Sequence, residues 1–237
     1  MPHLSFTNWL MDIVLPKYCL GCGLEGAYLC AACRAKLQTN PGASCYLCQR
    51  RSIDGQICDH CHKKYRPWLK GLLVAADWDN DLLRQIIYDF KYRFVKELAD
   101  PLASLLIAFL DAGHGPKLTS EILLVPVPLH PRRLAWRDFN QAELLSQKVA
   151  AYFNLPLEKN ILFRQRHTPP QAEIASEAKR RANIRTAFFL KNNFSLQNKI
   201  VILVDDVSTT AATLEECART LKPLGPKEIW GLVIARG

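Results

Sequence analysis

An α/β fold is predicted: a mainly parallel sheet with helices on both faces, preceded by a small cysteine-rich module. Three observations carry this reading. From residue 72 onward, apolar strand-like runs alternate with segments of helical periodicity. One run, Val201–Val204, is apolar at every position, as a strand buried on both faces must be. Before residue 62, eight of the nine cysteines fall into four Cys-x-x-Cys pairs. With 237 residues the chain is long enough for one sizeable core and an appendage.

Residues 4–15 are apolar but interrupted by Asp12, and no basic segment precedes them, so no signal peptide is expected. Leu10, Ile13 and Val14, with Phe6 and Trp9, suggest a short amphipathic helix packed on the body; a peripheral membrane contact is the weaker reading. No apolar stretch is long enough to span a bilayer. The pairs Cys19/Cys22, Cys30/Cys33, Cys45/Cys48 and Cys58/Cys61 follow. A two-residue gap lets two thiolates face one ion, and two such knuckles complete a tetrahedron. Four knuckles predict two structural zinc sites. Neighbouring pairs are the simplest grouping, and interleaved pairing also suits the spacing. His60 and His62 are read as surface residues and Cys217 as a small buried hydrophobe.

Lys63 to Pro67 reads as a linker, giving modules of 1–66 and 67–237. Leu72 to Trp78 is strand-like. Leu82, Leu83, Ile86, Ile87 and Phe90 repeat at helical spacing, and Leu102 to Leu110 forms a second helix. A strand, Ile122 to Val127, leads to a helix over Phe139 to Phe153. Short strands are expected at Ile161 to Phe163 and Ala187 to Leu190, with a basic helix around Ala175 to Arg185 between them. After the 201–204 strand come a helix over Leu214 to Leu221 and a last strand, Ile229 to Ala235.

The formal charge is +9. Zinc–tetrathiolate centres would bring the first 66 residues close to neutrality, so the positive field concentrates elsewhere. Residues 159–199 hold nine Lys and Arg against Glu173 and Glu177 alone. Such a segment attracts polyphosphates or nucleic acid, or is simply a solvated helix face.

The most informative stretch ends the apolar run in two carboxylates, Asp205 and Asp206. A turn of small and hydroxyl residues follows: Ser208, Thr209, Thr210, Ala211, Ala212 and Thr213. A strand handing over to a helix at a sheet edge presents backbone N–H groups to a phosphate. The adjacent carboxylates accept hydrogen bonds from vicinal hydroxyls and are expected to face solvent. This stretch resembles the signature of the type I phosphoribosyltransferases, whose ligand is phosphoribosyl pyrophosphate (PRPP). The resemblance implies that Asp205 and Asp206 orient the ribose and that Ser208 to Thr213 hold its 5-phosphate. Ala211 stands where that family usually has Gly. If φ is positive there, Ala costs roughly 1 kcal/mol.

A second constellation runs from Pro126-Val127-Pro128-Leu129-His130 to Arg137-Asp138-Phe139-Asn140-Gln141. Leu129, His130, Arg132, Arg133 and Arg137 follow a strand, so they too belong at a sheet edge, where guanidinium groups suit phosphate. With Gln171, Lys179 to Arg181, Asn183 and Ala187-Phe188 downstream, and the cysteine array upstream, nearly the whole chain resembles the ComF/GntX family. Asp138 replaces the usual Gly of the second block.

That resemblance implies a double zinc-ribbon module followed by a phosphoribosyltransferase-like domain, in a cytoplasmic protein sometimes peripheral at the inner membrane. It implies PRPP with Mg²⁺, single-stranded DNA and other competence proteins as partners in natural transformation. If there is turnover, pyrophosphate leaves the anomeric carbon, with Leu129, His130, Arg132, Arg133 and Arg137 around it, and residues 164–181 form a lid. The basic cluster Lys179, Arg180, Arg181 and Arg185 is the expected DNA contact. The competing reading is a PRPP or nucleotide sensor, or a DNA grip, without turnover. A nucleobase salvage enzyme is weaker, since no base-recognition pocket is legible.

Overall fold

Five parallel strands form the main sheet: β1 (Gly71–Ala76), β7 (Glu228–Arg236), β5 (Ile200–Val204) and β2 (Ile122–Pro126) in that order, with the short β6 (Val207–Ser208) also paired to β7. The computed structural model describes residues 16–39, 44–166, 184–191 and 194–237. The expected helix within 4–15, the cluster Lys179, Arg180 and Arg181, and the motif residues Gln171 and Asn183 lie outside the described residues.

Strand alternation sends side chains to both faces, and each face is covered. Leu73, Ile202, Val204, Leu232 and Ile234 pack against α3 (Asp81–Tyr92), α4 (Ala99–Asp111) and α6 (Gln141–Phe153). Leu72, Val201, Leu203 and Val233 pack against α7 (Ala212–Leu221) and Phe188. Glycine at 231 brings α7 close: a Cβ there would lie 3.1 Å from Leu214 and 2.8 Å from Leu72. The short strands β3 (Leu162–Arg164) and β4 (Phe188–Leu190) pair antiparallel as a separate ribbon instead of extending the main sheet.

Polar side chains start the helices that frame the sheet edge. Asn80 Oδ1 accepts from Leu83 N–H at 3.0 Å to begin α3, and Asn140 Oδ1 accepts from Ala142 N–H at 3.2 Å to begin α6. That cap is why α6 starts at Gln141 and not at Phe139. His130 begins α5 (Pro131–Arg137) in the same way, its Nδ1 accepting from Arg132 N–H at 3.1 Å.

The cysteine-rich segment carries α1 (Ala31–Arg34) and α2 (Asp59–Tyr65). The expected linker at Lys63 to Pro67 is corrected: α2 runs on through Tyr65, and Arg66, with φ 45°, ends it. The segment is tied to the body on two sides. Arg34 hydrogen-bonds Ser104 of α4, while Tyr46 hydrogen-bonds Glu215 of α7.

Candidate functional site

Strand β5 does not stop at the acidic pair. Val204 lies opposite Leu232 and, three residues later on both strands, β6 (Val207–Ser208) resumes with Val207 opposite Ala235. Asp205 N–H donates to Leu232 C=O and Ile234 N–H to Asp206 C=O, each at 3.0 Å. The two carboxylates are therefore mounted on a continuous ladder at the carboxyl end of the sheet, a rigid position for a ligand grip.

Their expected exposure to solvent is corrected. Asp206 is only 6% exposed, and its Oδ1 lies 2.9 Å from Lys91 Nζ of α3. Burial opposes the lysine charge, but Asp206 and Asp205 outweigh it and raise the Lys91 pKa. Asp205 is half-buried on the cavity wall. Burial and the adjacent Asp206 push its carboxyl up to about 7, with Lys91 and Arg164 acting against that rise.

The loop 208–213 turns at Ala211, whose φ of 60° and ψ of 9° are left-handed. Alanine thus occupies a backbone state that glycine adopts without cost. Asp138, the other replacement of a family glycine, is left-handed too, with φ 64° at the end of α5, and its Oδ2 lies 2.6 Å from Lys96 Nζ. Aspartate tolerates that conformation better than most residues. Ser208 Oγ accepts from Ala211 N–H at 3.1 Å, and Thr210 Oγ1 from Ala212 N–H at 3.4 Å.

Arg236 braces this loop from behind. Its Nε donates to Thr209 C=O at 3.0 Å and its Nη2 to Tyr46 C=O at 2.8 Å. Tyr46 lies between the ligand candidates Cys45 and Cys48. Glu215, which accepts from the Tyr46 hydroxyl, also accepts from Trp68 N–H at 3.0 Å. The second cysteine cluster is therefore joined to the loop and to the first turn of α7.

Leu129, Arg133, Arg137 and Arg164 line a cavity of about 720 Å³ together with this loop. Burial, with Arg133 nearby, lowers the Arg164 guanidinium to about 10, so it stays cationic at neutral pH. Arg137 donates to Gln141 Oε1 at 3.2 Å, while its buried Nε has no hydrogen-bond partner among the described residues. His130 and Arg132 are not on the cavity wall. His130 caps α5 with one ring nitrogen, and its Nε2 lies 3.0 Å from Gln165 C=O. Asn140 Nδ2 donates to Val127 C=O at 3.0 Å and Gln141 Nε2 to Phe90 C=O at 3.2 Å, so both motif residues tie α6 to the site's frame. Arg185 is exposed and lines a separate groove with Tyr65 and Trp68, beside Thr210.

Sequence reasoning missed α3's contribution altogether. Its Arg84, Tyr88, Lys91 and Tyr92 line the cavity, as does Trp78 just before it. A signal was present: Tyr88, Lys91 and Tyr92 are spaced i, i+3 and i+4, which places them on one helix face.

The cysteines group by neighbours. Cys19, Cys22, Cys30 and Cys33 form one set and Cys45, Cys48, Cys58 and Cys61 the other, each with all Sγ atoms within 4.8 Å of one another. Tetrahedral zinc with Zn–S near 2.3 Å needs sulfurs about 3.8 Å apart. Cys22 and Cys30 are separated by 3.7 Å and Cys48 and Cys58 by 3.6 Å. Both donor sets fit structural zinc, with no place left for a catalytic water.

The Phosphoribosyl transferase domain family matches residues 140–236, and the Double zinc ribbon domain family matches residues 10–62. Competence protein F of Haemophilus influenzae is 33% identical over 226 residues, covering 88% of this chain and 97% of the relative. The chain belongs to the ComF/GntX family. Other ComF-type relatives agree: Competence protein ComFC of Bacillus subtilis is 29% identical, over 83% of this chain and 79% of its own. DNA utilization protein YhgH of Escherichia coli strain K12 is 29% identical, over 86% and 96%. Among solved structures, the hypoxanthine-guanine phosphoribosyltransferase of L. donovani matches 64% of this chain and 71% of its own at 16% identity and a TM-score of 0.32, too distant to add to the assignment.

Proposed function

We propose that this ComF-family protein binds PRPP with its Mg²⁺ in the cavity at the carboxyl end of the sheet and takes part in handling single-stranded DNA during natural transformation. One observation carries the reading: a carboxylate pair, a loop of hydroxyls and N–H groups, and three arginines line one cavity. Carboxylates accept from ribose hydroxyls, the loop receives the 5-phosphate, and the arginines receive the pyrophosphate. In turnover, Asp205 and Asp206 would hold the ribose while an acceptor nucleophile forms its bond to the anomeric carbon and the bond to pyrophosphate breaks. The departing charge would fall to Arg133, Arg137 and Arg164, with the Mg²⁺ that arrives on the substrate. The zinc module, within 1–66, is structural, and the phosphoribosyl site belongs to 67–237. Among the described residues no helix is long and apolar enough to cross a membrane. We place the protein in the cytoplasm, peripheral at the inner membrane when it works with other competence proteins.

The test is a calorimetric titration with PRPP·Mg²⁺, followed by assay of pyrophosphate release with bases, nucleotides and single-stranded DNA. Binding with release establishes an enzyme; no binding refutes the reading. Ala211 favours a second outcome, binding without release, because its left-handed backbone puts a methyl group and strain in the phosphate loop. For DNA, replacing Arg180 and Arg181 by Ala should weaken oligonucleotide binding and flatten its salt dependence. Binding undetectable at low salt removes the nucleic-acid role.

A further inference from the structure

We infer that Tyr88 and Tyr92 form a stacking subsite for a purine or pyrimidine ring in the cavity, next to the carboxylate pair. The inference rests on the phosphoribosyl reading of that cavity and names the class of its second ligand.

The two tyrosines are successive turns of one helix face, 52% and 41% exposed, with ring centroids 5.0 Å apart and planes tilted by 42°. Both line the cavity, as does Trp78. Flat aromatic surface left open in a concave pocket is unburied apolar area that a planar ligand would cover. The Arg137 guanidinium carbon lies 5.5 Å from the Tyr92 ring centroid, on the same wall. Rings next to guanidinium groups are what nucleobases and their phosphates stack on and pair with. An apolar peptide would bring no charge to Arg133, Arg137 and Arg164.

Position supports the same ligand. Lys91 lies between the tyrosines in sequence and grips Asp206 at 2.9 Å. A ribose held by Asp206 therefore lies against the turn of α3 that carries both rings. A ring to be joined to that ribose comes within their reach. The chemistry is shared by two sources, a free nucleobase and a base of a single-stranded DNA, and the test separates them.

The wild type, Tyr88→Ala/Tyr92→Ala and Tyr88→Phe/Tyr92→Phe are titrated calorimetrically with adenine, thymine, oligo-dA and oligo-dT, each with and without PRPP·Mg²⁺. Circular dichroism checks folding. The Ala pair is expected to lose affinity by about tenfold or more for whichever ring ligand binds. The Phe pair, which keeps the ring faces, is expected to restore it. For oligonucleotides the Ala pair lowers affinity without changing the salt slope, because no charge is removed. Free bases that bind identify an acceptor pocket; oligonucleotides alone identify a strand. The subsite is overturned if the Ala pair binds like the wild type, if the Phe pair is as weak as the Ala pair, or if the wild type binds no ring ligand in any condition. A wild type that binds rings but ignores PRPP leaves the subsite standing and refutes the phosphoribosyl reading.

Discussion

Lys91 Nζ and Asp206 Oδ1 are 2.9 Å apart, joining the end of α3 to the carboxyl edge of the sheet. Their side chains are 21% and 8% exposed, so this pair is largely shielded from solvent. Breaking such a pair from one side leaves a buried charge alone, which costs more than the pair contributes when intact. Lys91→Met and Asp206→Asn are each expected to destabilise the protein by about 3 kcal/mol, and the double variant by clearly less than the sum. Urea unfolding of the three variants measures this. Additive losses would mean that the pair is not coupled.

The second prediction concerns pH. Asp205 has its carboxyl raised to about 7 from an ordinary value of 3.8. Through that interval the folded state holds more protons than the unfolded one, so this group makes stability fall as pH rises from about 4 to about 7. Ribose hydroxyls donate to the ionised carboxylate, so PRPP affinity should rise with pH through about 7. Lys91→Met removes a charge that favours ionisation and should move that midpoint upward. Calorimetry in buffers of different ionisation enthalpy reads proton release directly; a midpoint that does not move would show that Lys91 does not hold it down.

Ala211→Gly sets two effects of similar size against each other. Glycine holds the same left-handed state without the strain of a Cβ, a relief of about 1 kcal/mol, while burial of the methyl of this 2% exposed residue, of similar worth, is lost. Stability should therefore change by less than about 1 kcal/mol. PRPP affinity should still rise, by about tenfold or less, because the loop backbone becomes freer to approach a phosphate. Unchanged affinity would show that the loop already has its binding conformation with Ala.

The zinc clusters should differ in reach. Two equivalents of zinc are expected per chain, and Cys22→Ser and Cys48→Ser should each lose about one. Among the described residues, the second cluster is the one wired to the phosphate loop, through Tyr46, Arg236 and Glu215. Cys48→Ser should accelerate amide exchange across 208–213, whereas Cys22→Ser should leave it unchanged. Exchange mass spectrometry with elemental analysis tests this, and equal effects from both variants would rule out the Tyr46–Arg236 route.

By itself the sequence determined the features written into contiguous residues. The apolar run before Asp205, the small-residue loop behind it and the paired cysteines each carry their chemistry locally, through strand burial, N–H geometry and thiolate spacing. It also marked Ala211 as a place where backbone conformation would matter. Tertiary structure decided what lies opposite. Lys91, Tyr88 and Tyr92 reach the site because β1 and β2 stand at opposite edges of the sheet, with α3 folded over its carboxyl end. Nothing in α3 alone says which residue its lysine will meet. Packing likewise gave His130 a capping role: its Nδ1 accepts from Arg132 N–H, a first-turn donor of α5 with no partner inside the helix. Pairing of the cysteine knuckles was open in the spacing, because tetrahedral coordination constrains distances between sulfurs and not their order along the chain; the folded backbone chose neighbours.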